Sequence, residues 1–98
     1  MVLTDYTQNL MHRLQKLLPV SEEEIVQRGI TETATARIVE LRQRAAQLAT
    51  QYSSIEALEA RVESEGVPSD DHTLYTDLLE FRAVQHELSQ LTDFLESI

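Results

Sequence analysis

The sequence predicts an all-α protein: short N-terminal helices followed by a long antiparallel helical hairpin, a coiled-coil-like bundle. Three observations lead there. Residues 31–65 contain no proline or glycine and carry Ile38, Leu41, Ala45, Leu48, Tyr52 and Ile55 at alternating steps of three and four, the apolar seam of a helix. A compact turn signal follows, Gly66-Val67-Pro68-Ser69-Asp70-Asp71. Beyond it, Leu74, Phe81, Leu88 and Leu95 form one helical row and Val84, Leu91 and Ile98 a second.

Taken in order, residues 4–18 read as a first helix, with Thr4 or Asp5 as N-cap and Leu10, Leu14, Leu17 and Leu18 on one face. Pro19 stops it, because the residue before proline is pushed out of the helical region. Ser21 followed by Glu24 is a capping box, and Gly29 suits the position after a helix end, so residues 21–28 read as a short second helix. Thr31 or Thr33 then opens the long helix, 31–65. After Ile55 its apolar positions move to Leu58 and Val62, and Glu59 takes the place the earlier register would fill. Such a slip of three residues is a stammer. Ser53 and Ser54 lie beside it as a point of bending, although helical spacing on both sides favours a continuous helix. Asp70 and Asp71 offer caps for a last helix over 71–97.

An antiparallel reversal at residues 66–72 requires facing residues whose numbers add to a constant. Val62 with Leu78, Leu58 with Phe81, Ile55 with Val84, Tyr52 with Leu88, Leu48 with Leu91, Ala45 with Leu95 and Leu41 with Ile98 add to 139 or 140. The hairpin is therefore expected in register along its length. The turns from Thr31 to Ile38 extend past its end, and the leucine face of the first helix is their expected cover. Tyr75 and Leu79 project away from the seam, as do Val39 and Ala46. A homodimer, as a four-helix bundle at the hairpin, is the expectation that follows.

At 98 residues the chain is expected to form a single helical domain, and so small a domain buries a modest fraction of its surface. With no cysteine, neither a disulfide framework nor a thiolate metal site is available. No apolar run approaches the roughly 18 residues that cross a bilayer, and no basic segment leads into an apolar core at the N-terminus, so a cytoplasmic location is expected. The net charge of −9 is unevenly placed. Residues 1–50 balance six acidic residues with Arg13, Lys16, Arg28, Arg37, Arg42 and Arg44, whereas residues 51–98 set eleven acidic residues against Arg61 and Arg82. Phosphate neutralisation needs clustered cations, so direct binding to nucleic acid or to an anionic membrane is disfavoured. A basic protein partner is the complementary expectation.

Catalytic chemistry has little to stand on in this sequence. His12, His72 and His86 fall on separate elements, and none is preceded at three residues by the glutamate that di-iron bundles use. Glu56, Glu59 and Glu63 share a helix face and, with Asp77 and Glu80, sketch the acidic set with which all-helical nucleotide pyrophosphohydrolases hold Mg²⁺. A Mg²⁺-dependent hydrolase is accordingly the least favoured alternative. Asp77 occupies a seam position near the turn, where two carboxylates together would repel unless a cation, Arg61 or Arg82 for example, neutralises them. No cofactor or metal site is expected, and no glycine-rich phosphate loop exists.

The stretch Pro68 to Leu79, a Pro-Ser-Asp turn running into a helix, resembles the hairpin turn of type III secretion needle subunits over about a dozen residues. That resemblance implies a self-assembling structural role. The longer N-terminal part and the acidic last helix depart from the needle pattern, and the Trp-x-Gly turn of secreted helical-hairpin proteins is absent. The expectation for function is a non-catalytic protein–protein interaction module, an adaptor, accessory subunit or inhibitor. Glu59, Glu63, Asp70, Asp71, Asp77 and Glu80 would face a basic partner, with Tyr75 and Leu79 as apolar contacts.

Overall fold

The computed structural model describes residues 3–98, and the described chain is all-helical. Four helices follow one another: α1 (Asp5–Leu17), α2 (Glu22–Tyr52), α3 (Ile55–Glu65) and α4 (Thr73–Glu96). The chain divides into two compact units, Met1–Thr33 and Ala34–Ile98.

In the first unit, Thr4 caps α1 by accepting a hydrogen bond from the Thr7 amide at 3.1 Å. Helix α1 ends at Leu18, whose extended backbone is the conformation demanded ahead of Pro19. Ser21 caps α2 as expected, its hydroxyl accepting from the Glu24 amide at 3.1 Å. The short helix 21–28, however, does not end at Gly29. Helix α2 continues through that glycine and absorbs the residues expected to start a separate helix at 31. One glycine costs a helix about 1 kcal/mol. Stopping and renucleating costs more, because a first turn fixes several residues for a single hydrogen bond. The Thr33 hydroxyl also donates to the Gly29 carbonyl at 2.7 Å.

In the second unit, the helix expected over 31–65 is broken at Ser53–Ser54. Ser53 adopts φ 74°, the only positive value at a non-glycine among the described residues. Ser54 is extended and caps α3, its hydroxyl accepting from the Ala57 amide at 3.0 Å. The break has a packing cause. Leu48 and Leu58 would lie about 15 Å apart along an unbroken helix, on faces that diverge by about 80°. Here both are fully buried in one cluster with Tyr52, Leu78 and Phe81. Turning the chain between them converts the stammer into a core, at a cost of about 1–2 kcal/mol for the left-handed serine.

The break also changes the register of the hairpin. Between α3 and α4 the expected facing order holds: Leu58 shares the cluster with Phe81, and Arg82 lies 3.4 Å from Glu59. Between α2 and α4 it does not. Arg44 pairs with Glu80 and Arg37 with Glu87, which keeps the helices antiparallel but slides α2 by about four turns from the expected pairing of Leu48 with Leu91. Because α3 is a separate segment, α4 need not run past it before meeting α2. As a result α4 reaches the turns around Ile38, which the sequence alone leaves to the first helix, and Ile38 and Leu41 are buried. Gly66, at φ 73°, ends α3 in the left-handed region as its residue type predicts. Helix α4 starts at Thr73 with His72 as N-cap, and Asp71 just before it accepts from the Thr73 amide at 3.0 Å.

Two substitutions test this packing by urea unfolding. Ser53→Gly removes the left-handed penalty and is expected to raise stability by about 0.5–1 kcal/mol. Leu48→Ala opens a cavity at the junction of all three helices of the unit and is expected to cost about 3 kcal/mol.

Candidate interaction surfaces

The acidic residues singled out from the sequence lie on α3, α4 and the turn between them. The fold brings most of them to internal partners. Glu80 receives two hydrogen bonds from the Arg44 guanidinium, each 2.6 Å long, in a fork-on-carboxylate arrangement. One heptad away on each helix, Arg37 grips Glu87 in the same way at 2.5 and 3.1 Å and reaches Glu40 at 3.1 Å. Glu59 lies 3.4 Å from Arg82. Arg61 donates to Glu65 at 2.8 Å and stands over the Tyr52 ring, 6.0 Å from its centre. These pairs are half exposed, so each stabilises weakly, but together they fix which face of α2 meets α4.

Asp77, the acid in a seam position, is satisfied by a residue that the sequence marks only as an apolar seam member. The Tyr52 hydroxyl donates to the Asp77 carboxylate and accepts from the Gln51 side chain at 3.0 Å. The expected neutralisation of Asp77 by Arg61 or Arg82 is replaced by this phenol, since Arg61 is directed to Glu65 and Arg82 to Glu59. What could have revealed it is the tyrosine itself, which, when buried in a seam, must find a polar partner for its hydroxyl.

The titration behaviour follows these contacts. Hydrogen bonding to Asp77, reinforced by burial and by the carboxylate charge, pushes the Tyr52 phenol above its usual range. The hydrogen bonds from Arg44 and Arg37 hold Glu80 and Glu87 below the usual carboxylate range. Asp71 is lowered by the amide and hydroxyl of Thr73. Glu63 and Asp70 are exposed and, among the described residues, have no ion-pair partner. Tyr75 and Leu79 stand on α4 at 40 % and 45 % exposure. Among the described residues, no three acidic or histidine side chains converge in a way that would hold a metal ion. The fold therefore leaves Glu63 and Asp70, out of six acids, as charges not already engaged.

A second surface lies on the first unit, in which Met11 is the one buried apolar side chain among the described residues. Leu17 is 79 % and Tyr6 73 % exposed, and Leu10, Leu14, Leu18, Val26 and Ile30 are each more than a third exposed. An apolar groove of about 280 Å³ runs between α1 and the first turns of α2, lined by Leu3, Leu10, Met11, Leu14, Ile25 and Val26. The leucine face was legible in the sequence; its remaining open was not. No family model, no curated protein and no solved structure matches this chain.

The Tyr52–Asp77 pair makes a prediction with a defined sign. A phenol pKa raised on folding gives a contribution that is whole below the ordinary tyrosine value of 10.0 and is lost as pH rises through the folded value. Thermal melts from pH 7 to 11 should show an alkaline loss of stability that is reduced in Tyr52→Phe. That variant should also cost about 1–2 kcal/mol at pH 7, because Asp77 loses its donor. On the acid side, the depressed Glu80 and Glu87 contribute fully above the ordinary glutamate value of 4.5, and this is lost as pH falls through their folded values. Glu80→Gln should flatten the decline in melting temperature below that point.

Proposed function

We propose that this chain is a non-catalytic helical interaction module that engages another protein chain through the apolar face of α1. One observation carries the reading: among its described residues, a unit of about thirty residues leaves seven large apolar side chains open while burying only Met11. Scattered exposed leucines are ordinary on a protein surface. A continuous stripe on one short helix beside an apolar groove is characteristic of a binding face. The second unit supplies a packed antiparallel scaffold whose seam is consumed internally.

Support for a non-catalytic role comes from how the polar groups are used. His12 lies on α1, His72 beside the turn and His86 on α4, while Glu59, Asp77 and Glu80 each have a structural partner. An acidic docking tip for a basic protein is a second reading, now resting on Glu63 and Asp70 at the α3–α4 turn. Its strength would fall steeply with salt, whereas docking on the leucine face would not.

Benzoylphenylalanine placed at Leu17 of the full chain, in its native cells, tests the first reading, with the same photoprobe at Gln90 on α4 as control. A discrete protein adduct from position 17 that position 90 does not give is the expected outcome. If both positions give the same adducts, or neither gives any, the α1 face is not a binding surface.

A further inference from the structure

We infer that the break at Ser53–Ser54 is an exchange hinge: on straightening, α2 and α3 join into one helix, and the α3–α4 segment packs on α2 of a second copy of this chain instead of its own. The inference concerns the second unit and does not depend on the α1 face. Ser53 holds φ 74°, a conformation disfavoured for any residue with a Cβ atom. Neither glycine nor proline occurs between Gly29 and Gly66, so a helix can run through the break. In the bent form the Ala57 amide takes the Ser54 hydroxyl. In the straight form the amides of Ser54, Ile55, Glu56 and Ala57 take the carbonyls of Thr50, Gln51, Tyr52 and Ser53.

The sequence carries a seam for the straight form. Arg44, Leu48, Gln51, Ile55, Leu58 and Val62 step by four, three, four, three and four through the break, the spacing of a two-helix contact. At about 100° per residue all of them lie within about 40° of one direction, and Leu48 with Leu58, Gln51 with Ile55 and Arg44 with Val62 are placed symmetrically about it. Each pair is also centred on Ser53. A two-fold axis at Ser53 therefore sets Leu48 of each copy on Leu58 of the other, the contact that the bent chain makes within itself. The other contacts across the hinge re-form in the same way. Leu48 and Tyr52 meet Leu78 and Phe81, Tyr52 meets Asp77, and Arg44 and Arg37 meet Glu80 and Glu87, now between copies. The exchanged dimer keeps the core and loses the strained serine, so concentration decides between the two forms.

At about 10 µM the chain is expected to sediment at its monomer mass of 11.2 kDa, and after refolding from urea at about 1 mM a fraction is expected at twice that mass. Ser54→Ala removes the α3 cap and favours the straight helix, whereas Ser53→Gly relieves the bend, each by about tenfold per hinge. A dimer contains both copies' hinges, so its dissociation constant should fall about a hundredfold in Ser54→Ala and rise about a hundredfold in Ser53→Gly. Arg44→Glu and Glu80→Arg supply a test that leaves the hinge intact. Each alone sets like charges together, in the bent chain and in its own exchanged dimer. A heterodimer of the two makes both 44–80 contacts opposite in charge, so co-refolding should give it in about tenfold excess over either homodimer by native mass spectrometry. A dimer formed through any other surface leaves those charges within each chain and shows no preference, which would overturn the inference. So would hinge variants that shift the dissociation constant in the same direction, or a parent and a Ser54→Ala variant that both remain monomeric after refolding at about 1 mM.

Discussion

Everything in the second unit depends on placing Leu48 and Leu58 in one core. Both are fully buried, yet they are ten residues apart on what spacing alone presents as one helix. No straight helix can direct both to Phe81. The left-handed Ser53 and the cap at Ser54 are the local consequence, and the position of α4 along α2 is the larger one. A strained serine is tolerable because the cluster it closes holds five buried side chains, each contributing on the order of 1.5–3 kcal/mol.

The same break decides which cations the acidic residues of α4 meet. In the register expected from the apolar rows, Arg37 and Arg44 would have lain far along the hairpin from Glu80 and Glu87. In the observed register Arg37 and Arg44 meet Glu87 and Glu80, and the strongly acidic second half of the sequence takes cations from the first. Open apolar side chains are found on both units, and on α1 they share one short helix.

Helix content, the turn at Gly66, the Thr4 and Ser21 caps and the seam membership of Tyr52 and Phe81 were legible in the sequence, because each rests on residues within a few positions of one another. The antiparallel order of α3 and α4 was legible too. Where local reading failed, a longer-range balance decided. Gly29 has the residue type of a helix end, but the helices on either side already propagate in one direction. The continuous helix over 31–65 satisfied spacing on both sides of the stammer, and only the shared burial of Leu48 and Leu58 shows why it breaks. The match of the two seams was a true regularity over the α3 portion and misled beyond it, since a heptad row agrees with itself at every shift of seven. Among the candidate interaction residues, Asp77 and Glu80 have structural partners that pattern alone could not assign.

That periodicity has a mechanical side. Arg37 and Arg44 are seven residues apart on α2, as are Glu80 and Glu87 on α4. If α2 slid by two turns in one direction, Arg44 would meet Glu87 and half of the ladder would re-form. The ion pairs are thus evenly spaced teeth, one of which still engages at the neighbouring notch. The pawl is at the other end, where Tyr52 is tied to Asp77 and Leu48 is locked beneath α3. The spacing of the charges therefore leaves the choice of register to the Tyr52–Asp77 bond and the buried Leu48.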